Sequence, residues 1–349
     1  MDFASDNTSG VAPQVMAALN AANEGHVPSY GADALSEAVR TKMRDLFEAP
    51  EAAVYLVATG TAANALSCAL LTEPWGAIFC HRNAHIEEDE CGAPEFYTNG
   101  AKLVLVDGAH AKMDPEALER SIAHTGRGGI HNVQRGMVSL TNATEAGTVY
   151  APEEVARLTE IAQDYALPVH MDGARFANAL ARLGCTPAEL TWKAGVDVLS
   201  FGGTKNGCMG VEAVVIFDPA RAREFELRRK RGGHLFSKNR FLAAQMLGYL
   251  AGGGWLENAR HANRMALRLA AGILEVDGGS LLHPTEANAV FARLPRGLHR
   301  QAVEAGAYYY LWPFDQSLDG PDDELLSARL VCSWATTDDE VDSFLETLA

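Results

Sequence analysis

The sequence predicts an α/β protein in which a mainly parallel, seven-stranded sheet with helices is followed by a smaller α+β domain. Three observations carry this prediction. From about residue 50 to 217, short β-rich runs alternate with helix-like stretches. The runs are continuously apolar, as strands buried on both faces are. After about residue 245 the texture changes, with Gly252-Gly253-Gly254 following an apolar helix.

The seven predicted strands are Val54 to Ala58, Ala77 to Cys80, Lys102 to Val106, Met137 to Thr141, Pro168 to Met171, Val196 to Ser200 and Ala213 to Phe217. Asp114 to Ala123 and Pro152 to Tyr165 read as amphipathic helices. The second has Pro in its first turn and sets Val155, Leu158 and Ile161 on one stripe. Beyond residue 245, a helical stretch from Trp255 to Leu274 precedes strands at Ala289 to Leu294 and Ser327 to Trp334. The predicted division is residues 1–245, with an N-terminal arm over 1–12 near the active site, and residues 246–349.

With 349 residues, 48% of them hydrophobic and 21% charged, the chain has the profile of a globular protein. Its net charge of −16 argues against nucleic acid or an acidic membrane as a general partner, since phosphate binding needs a basic surface. One local exception, Arg228-Arg229-Lys230-Arg231 with Lys238 and Arg240, is either a solvated helix face or a collector of anions at one site. The first residues show no basic region followed by an apolar run, so a cytoplasmic location is expected. Six scattered cysteines without CxxC or a partner His read as reduced thiols, and no metal site is expected.

Ligands of open α/β sheets gather where parallel strands end. The polar residues following the predicted strands are Thr59-Gly60-Thr61, His81 to Glu90, Asn142 to Glu145, Asp172 to Arg175, and Gly202 to Lys205. Lys205 is either an exposed loop lysine or, emerging from a buried strand into a Gly-rich turn, a Schiff-base amine. Asp172 reads as a helix N-cap or as the carboxylate that keeps a pyridine nitrogen protonated. Gly60-Thr61-Ala62 opens a helix, whose free N–H groups and dipole suit a phosphate; Thr61 as plain N-cap is compatible with that role.

Together these residues carry a resemblance. Asp2 to Asn7, Tyr30-Gly31, Thr59-Gly60-Thr61, His85-Ile86 with Glu90, His170 to Arg175 and Thr204-Lys205 resemble the threonine aldolase family in order and spacing. Ala84 to Phe96, Ala143-Thr144-Glu145 and Thr191 to Asp197 are similar to its low-specificity and phenylserine aldolase branch. The resemblance implies an aspartate-aminotransferase-like fold (fold type I of the pyridoxal-phosphate enzymes), usually assembled as a homotetramer of two dimers with active sites at subunit interfaces.

It also implies roles. Lys205 would form the internal aldimine with pyridoxal 5'-phosphate, Asp172 would pair with the pyridine nitrogen, and His85 would stack on the ring. Gly60, Thr61 and Ala62 would cradle the phosphate. Ser5, Tyr30, Arg175 and Arg329 would bind the substrate, the guanidinium groups taking its carboxylate. Lys238 and Arg240 resemble a basic segment that reaches a neighbouring subunit's phosphate. The implied reaction cleaves the Cα–Cβ bond of a β-hydroxy-α-amino acid to glycine and an aldehyde.

One departure stands out. Many relatives carry a histidine in the loop after the fourth strand, where this chain has Thr144. A hydroxyl is a poor base, so the sequence ranks His85, or a water held by Thr144 and Glu90, as proton acceptor; His81 and His131 read as structural. Competing functions are another pyridoxal-phosphate reaction (β-elimination or transamination), a nicotinamide oxidoreductase, and a non-catalytic paralogue. No GxGxxG follows the first strand, which weighs against the oxidoreductase.

Overall fold

The computed structural model describes residues 1–349. Seven strands form the large sheet: β1 (Ala53–Val57), β2 (Gly76–His81), β3 (Lys102–Val106), β4 (Gln134–Thr141), β5 (Val169–Gly173), β6 (Val198–Gly202) and β7 (Glu212–Ile216), in the order β1-β7-β6-β5-β4-β2-β3. All seven predicted strands are present, shifted by at most a few residues. β7 is antiparallel to both its neighbours, β1 and β6. The physical reason is loop length: Gly203–Val211 is shorter than the dozen or so residues a parallel crossover needs.

The second sheet contains β8 (Ser280–Leu281), β9 (Ala289–Pro295), β10 (Tyr310–Leu311) and β11 (Leu325–Val331), in the antiparallel order β10-β11-β9-β8. The helices are α1 (Pro13–Ala22), α2 (Ala34–Leu46), α3 (Gly60–Leu71), α4 (His85–Glu88), α5 (Ala93–Thr98), α6 (Pro115–His124) and α7 (Pro152–Asp164). They continue with α8 (Phe176–Leu183), α9 (Ala222–Arg231), α10 (Arg240–Leu250), α11 (Gly254–Glu275), α12 (Arg296–Glu304) and α13 (Asp338–Glu346).

α3 is buried along almost its whole length because Ala, Ser and Cys let it lie flat on the sheet. Beneath the β6 end, Phe201 meets Phe47, Phe176, Tyr249 and Trp255 at centroid distances of 6.0, 6.0, 6.1 and 5.6 Å. That wholly buried aromatic cluster gives the turn carrying Lys205 a rigid floor; truncating such a Phe to Ala typically costs about 3–5 kcal/mol.

The large-sheet core reaches into α11 as far as Ala259, and a second core begins with Met265 on the same helix. Phe3 belongs to this second core, packing edge-on against Phe344 at 5.4 Å. Phe3 N donates to Tyr308 O, and its carbonyl accepts from Val331 N, both at 2.8 Å. The N-terminal arm is therefore stitched to the second sheet, which aims Ser5 and Asp6 at the gap between the two sheets.

Candidate active site

β1 is antiparallel to β7, which is antiparallel to β6, so β1, β6, β5, β4, β2 and β3 all run one way. Their carboxyl ends open on two connected cavities of ≈ 380 and ≈ 480 Å³ that share Asn7, His85, Asp89 and Lys205.

Lys205 lies at this junction, on the single turn Thr204–Asn206. Asn206 Nδ2 anchors the turn by donating to Tyr249 Oη at 2.8 Å and to Trp255 O at 2.7 Å. Gly207 closes it at φ +114, and a Cβ there would sit 2.9 Å from Ala12. Only glycine meets both demands.

The smaller cavity begins at α3. The helix N-cap is Thr59, whose Oγ1 accepts from Ala62 N at 3.1 Å, so Thr61 is not the cap. The N–H groups of Gly60 and Thr61 donate to no protein atom, and a Cβ on Gly60 would meet nothing within 4 Å. Two free donors and a helix dipole thus face open space, a fit for a phosphate. Ala62 is a correction: its N–H is spent on the cap and it does not line the cavity.

Asp172, buried at the end of β5, accepts Ala174 N on Oδ1 and Asn64 Nδ2 on Oδ2, each at 2.9 Å. It is not the N-cap of α8, which is Arg175; it braces the turn before that helix and lines the smaller cavity. The same Asn64 Nδ2 reaches Glu90 Oε1 at 2.8 Å, and His85 Nδ1 donates to that oxygen at 2.8 Å. A continuous network joins His85, Glu90, Asn64 and Asp172. The bond to Glu90 raises the proton affinity of His85 against the opposing effect of burial. Burial pushes the carboxyl of Glu90 up. We place the shared proton on the imidazole, which biases His85 towards the charged form and away from a free base.

Glu212, fully buried at the start of β7, also lines this cavity. Its Oε2 accepts Gly203 N at 2.7 Å, and burial pushes it up to about 7.

The larger cavity is lined by Ser5, Arg175 and Arg329 together with Phe291, Trp312 and Phe314. Asp6 grips Arg175 through Nε at 2.7 Å and Nη2 at 3.1 Å, and Asn288 Nδ2 donates to Asp6 at 3.0 Å. Burial alone would raise Asp6, but Arg175 and Lys205 outweigh it and hold the carboxyl below its ordinary value. Arg329 lies with its guanidinium 4.5 Å from the Trp312 ring centre, and its buried Nε has no protein acceptor. Burial, with Arg175 nearby, lowers its proton affinity. Two neighbouring guanidinium groups, one with an unanswered donor, fit a carboxylate.

Four expected site residues line neither of these two cavities. Thr144 is buried, and its hydroxyl contacts Thr148 Oγ1 at 2.7 Å and donates to His110 O at 3.3 Å. It also accepts from Thr148 N and Ala146 N, so the water-holding role expected of it has no free lone pair. Tyr30 is about half exposed, with its N–H on Ser237 O at 2.9 Å and Lys230 Nζ 5.0 Å from its ring centre. Arg240 donates to Glu24 O and Gly25 O, and neither it nor Lys238 lines the cavities. Tyr30 and Lys238 are exposed and Arg240 partly so, all three outside both cavities of their own chain.

Sequence reasoning missed Asn64, Asp6, Glu212 and Trp312. Asn64 had a signal, one helical turn on from Gly60 and so on the same face. Asp6 lay inside a recognised motif, whereas nothing marked Trp312.

This architecture defines the class: a fold-type-I, aminotransferase-like α/β protein of the kind that holds pyridoxal phosphate. A family model described as beta-eliminating lyase matches residues 2–295. The low specificity L-threonine aldolase of Pseudomonas aeruginosa is 44% identical over 96% of this chain and 93% of its own. That of a Pseudomonas species is 41% identical over 97% and 94%. The solved structure of Leishmania major threonine aldolase superposes with a TM-score of 0.91 at 27% identity, covering 99% and 98% of the two chains. Serine palmitoyltransferase of Sphingomonas wittichii shares the fold alone, at TM-score 0.72 and 16% identity over 100% of this chain and 86% of that one. The chain belongs to the beta-eliminating lyase family, among the threonine aldolases.

Proposed function

We propose that this protein is a low-specificity aldolase that cleaves the Cα–Cβ bond of L-threonine, L-allo-threonine and phenylserine to glycine and an aldehyde. One observation carries the reading. Lys205 stands where a phosphate-and-ring cavity meets a cavity bearing two guanidinium groups. The names of its Pseudomonas and Leishmania relatives support the same chemistry.

Pyridoxal 5'-phosphate, when bound, supplies the sink for the electron pair released at Cα. The chain's own residues do the rest. Gly60 and Thr61 offer their free N–H groups to the phosphate, Asp172 offers a carboxylate to the ring nitrogen, and His85, tethered by Glu90, offers a flat face. The Lys205 amine, at the junction of the two cavities, would hold the cofactor covalently and would yield that position to the substrate amine. Arg175 and Arg329, with Ser5, take the substrate carboxylate, which fixes rotation about the Cα bonds. That orientation selects the Cα–Cβ bond for cleavage. Removal of the β-hydroxyl proton drives the cleavage, and return of a proton to Cα completes glycine.

Tyr30, Lys238 and Arg240 lie outside both cavities of their own chain, which is consistent with an assembly in which each chain lends these groups to a neighbour's site, as in a homotetramer of dimers. All six cysteines are unpaired, which fits a reducing compartment such as the cytoplasm. No helix is long and apolar enough to cross a membrane.

The test is product analysis with the three substrates. Glycine with acetaldehyde or benzaldehyde, in equal amounts, is the expected result. A 2-keto acid product, as β-elimination or transamination would give, overturns the reading.

A further inference from the structure

His110 and His283 are 173 positions apart in sequence, yet their Nδ1 atoms lie 3.0 Å apart. The rings meet edge to face at a centroid distance of 5.3 Å, and His283 also packs edge-on against Phe291 at 5.4 Å. His283 lines the larger cavity, together with Lys205 and both guanidinium groups. Its Nε2 has no protein partner, and His110 stands exposed at the rim.

The backbone of His110 is held in a left-handed conformation, φ +56. Its carbonyl accepts from Thr148 Oγ1 at 2.7 Å and from Thr144 Oγ1 at 3.3 Å. The loop that lacks a histidine of its own therefore clamps a histidine of another loop.

We propose that His283 is the catalytic base for the β-hydroxyl, with His110 as the positioning residue behind it. The inference rests on the aldolase reading above. A bond between two Nδ1 atoms needs one N–H and one lone pair. With His283 as donor, its Nε2 keeps a lone pair for the substrate. The β-hydroxyl proton passes to that nitrogen, and the O–H electron pair becomes part of the aldehyde carbonyl. The Cα–Cβ pair stays with the glycine fragment, where pyridoxal phosphate, when bound, would supply the electron sink. His110 Nδ1 holds the Nδ1 proton in place throughout, and once the aldehyde has left the imidazolium releases its Nε2 proton to water, which restores the lone pair.

His85, the other imidazole in this cavity, has Nδ1 committed to Glu90 and Nε2 3.6 Å from Asp89 Oδ2, so it is biased towards the charged form. Burial, and then His110, hold His283 below the ordinary histidine value, which keeps it neutral and receptive near pH 7. The remaining charged groups around the cavity are Glu88, Asp89, Glu145, Arg175, Lys205 and Arg329.

The experiment compares His283→Phe, which keeps the packing on Phe291, and His110→Asn with the wild-type holoenzyme. Two rates are read: aldehyde release from L-threonine, and exchange of the glycine α-proton in heavy water, which needs no β-hydroxyl base. His283→Phe is expected to lose aldehyde release by about a hundred- to ten-thousand-fold while still exchanging glycine. His110→Asn is expected to lose less, and to raise the titration midpoint of His283 followed by imidazole NMR in the cofactor-free protein. Wild-type aldehyde release in His283→Phe, parallel loss of glycine exchange, or an unmoved His283 midpoint overturns the proposal. A wild-type enzyme that exchanges glycine but releases no aldehyde overturns the aldolase reading itself.

Discussion

Asn64 Nδ2 lies 2.9 Å from Asp172 Oδ2, and the same amide nitrogen lies 2.8 Å from Glu90 Oε1. One neutral side chain thus separates two buried carboxyl groups and answers both, while its own Oδ1 has no partner. The arrangement is polarised: Asp172 lines the smaller cavity, and the same Glu90 Oε1 also accepts from His85 Nδ1. We expect Asn64→Leu to leave both carboxyl groups short of a donor at a cost of about 1–3 kcal/mol each. Thermal denaturation and cofactor titration check this. An unchanged melting temperature with unchanged cofactor affinity would remove Asn64 from the network.

Lys205→Ala should fold normally and lose turnover, along with the yellow colour of a covalently held cofactor, since no other lysine lines either cavity. Borohydride reduction followed by peptide mapping checks the attachment. A trapped label on Lys193 or any other lysine would sink the assignment.

Glu212 gives a pH dependence with a definite sign. Its carboxyl is held at about 7 in the folded chain against 4.5 for the free group, so the native state binds the extra proton between those values. Stability therefore falls as pH rises from about 4.5 to 7, by about 3 kcal/mol if this group acts alone. Glu212→Gln keeps an acceptor for Gly203 N and should flatten that decline. Denaturant midpoints across the window read it out, and parallel curves for the two proteins would refute the shift.

The sheet was legible in the sequence because strands covered on both faces are unbroken apolar runs, and five of the seven end in polar residues that were named for the site. Lys205, Asp172, Gly60 and Thr61 could be found by walking to those ends. The antiparallel sense of β7 was not visible, although the short loop before it contained the reason. β8 and β10, at two residues each, are too short for any periodicity. Thr144 occupied a telling position, but the direction of its hydroxyl depends on Thr148 and His110. Contacts such as Asp6 with Arg175 or His110 with His283 join residues more than 160 positions apart and leave no local pattern.

Asp6 is expected to act through Arg175. Two of the guanidinium's nitrogens are committed to the Asp6 carboxylate, which orients what remains towards the cavity. Asp6→Asn keeps the shape but gives up the charge-assisted bonds, so the guanidinium gains freedom. KM for L-threonine should rise by about tenfold, on the order of 1.4 kcal/mol, with a smaller change in kcat. A variant that loses kcat with KM unchanged would contradict a role in holding the substrate carboxylate.

Glu90→Gln tests the His85 tether through stability and not through turnover. The folded-state proton affinity of His85 is raised above its free value of 6.5, first by the bond to Glu90. A group shifted in that direction stabilises the fold fully below pH 6.5, and the contribution is lost as pH rises through the folded value. Glutamine cannot accept the imidazolium proton as a charged partner, so the variant should lack this contribution. The difference in stability between wild type and Glu90→Gln should therefore be largest near pH 6 and shrink on going to pH 9. Replacing His85 by Asn in the same background should add little further at either pH, because the coupling has already been removed. Denaturant midpoints for the wild type, both single variants and the double variant complete the cycle. A stability gap that widens with rising pH, or additive losses in the double variant, would show that His85 and Glu90 do not share the proton.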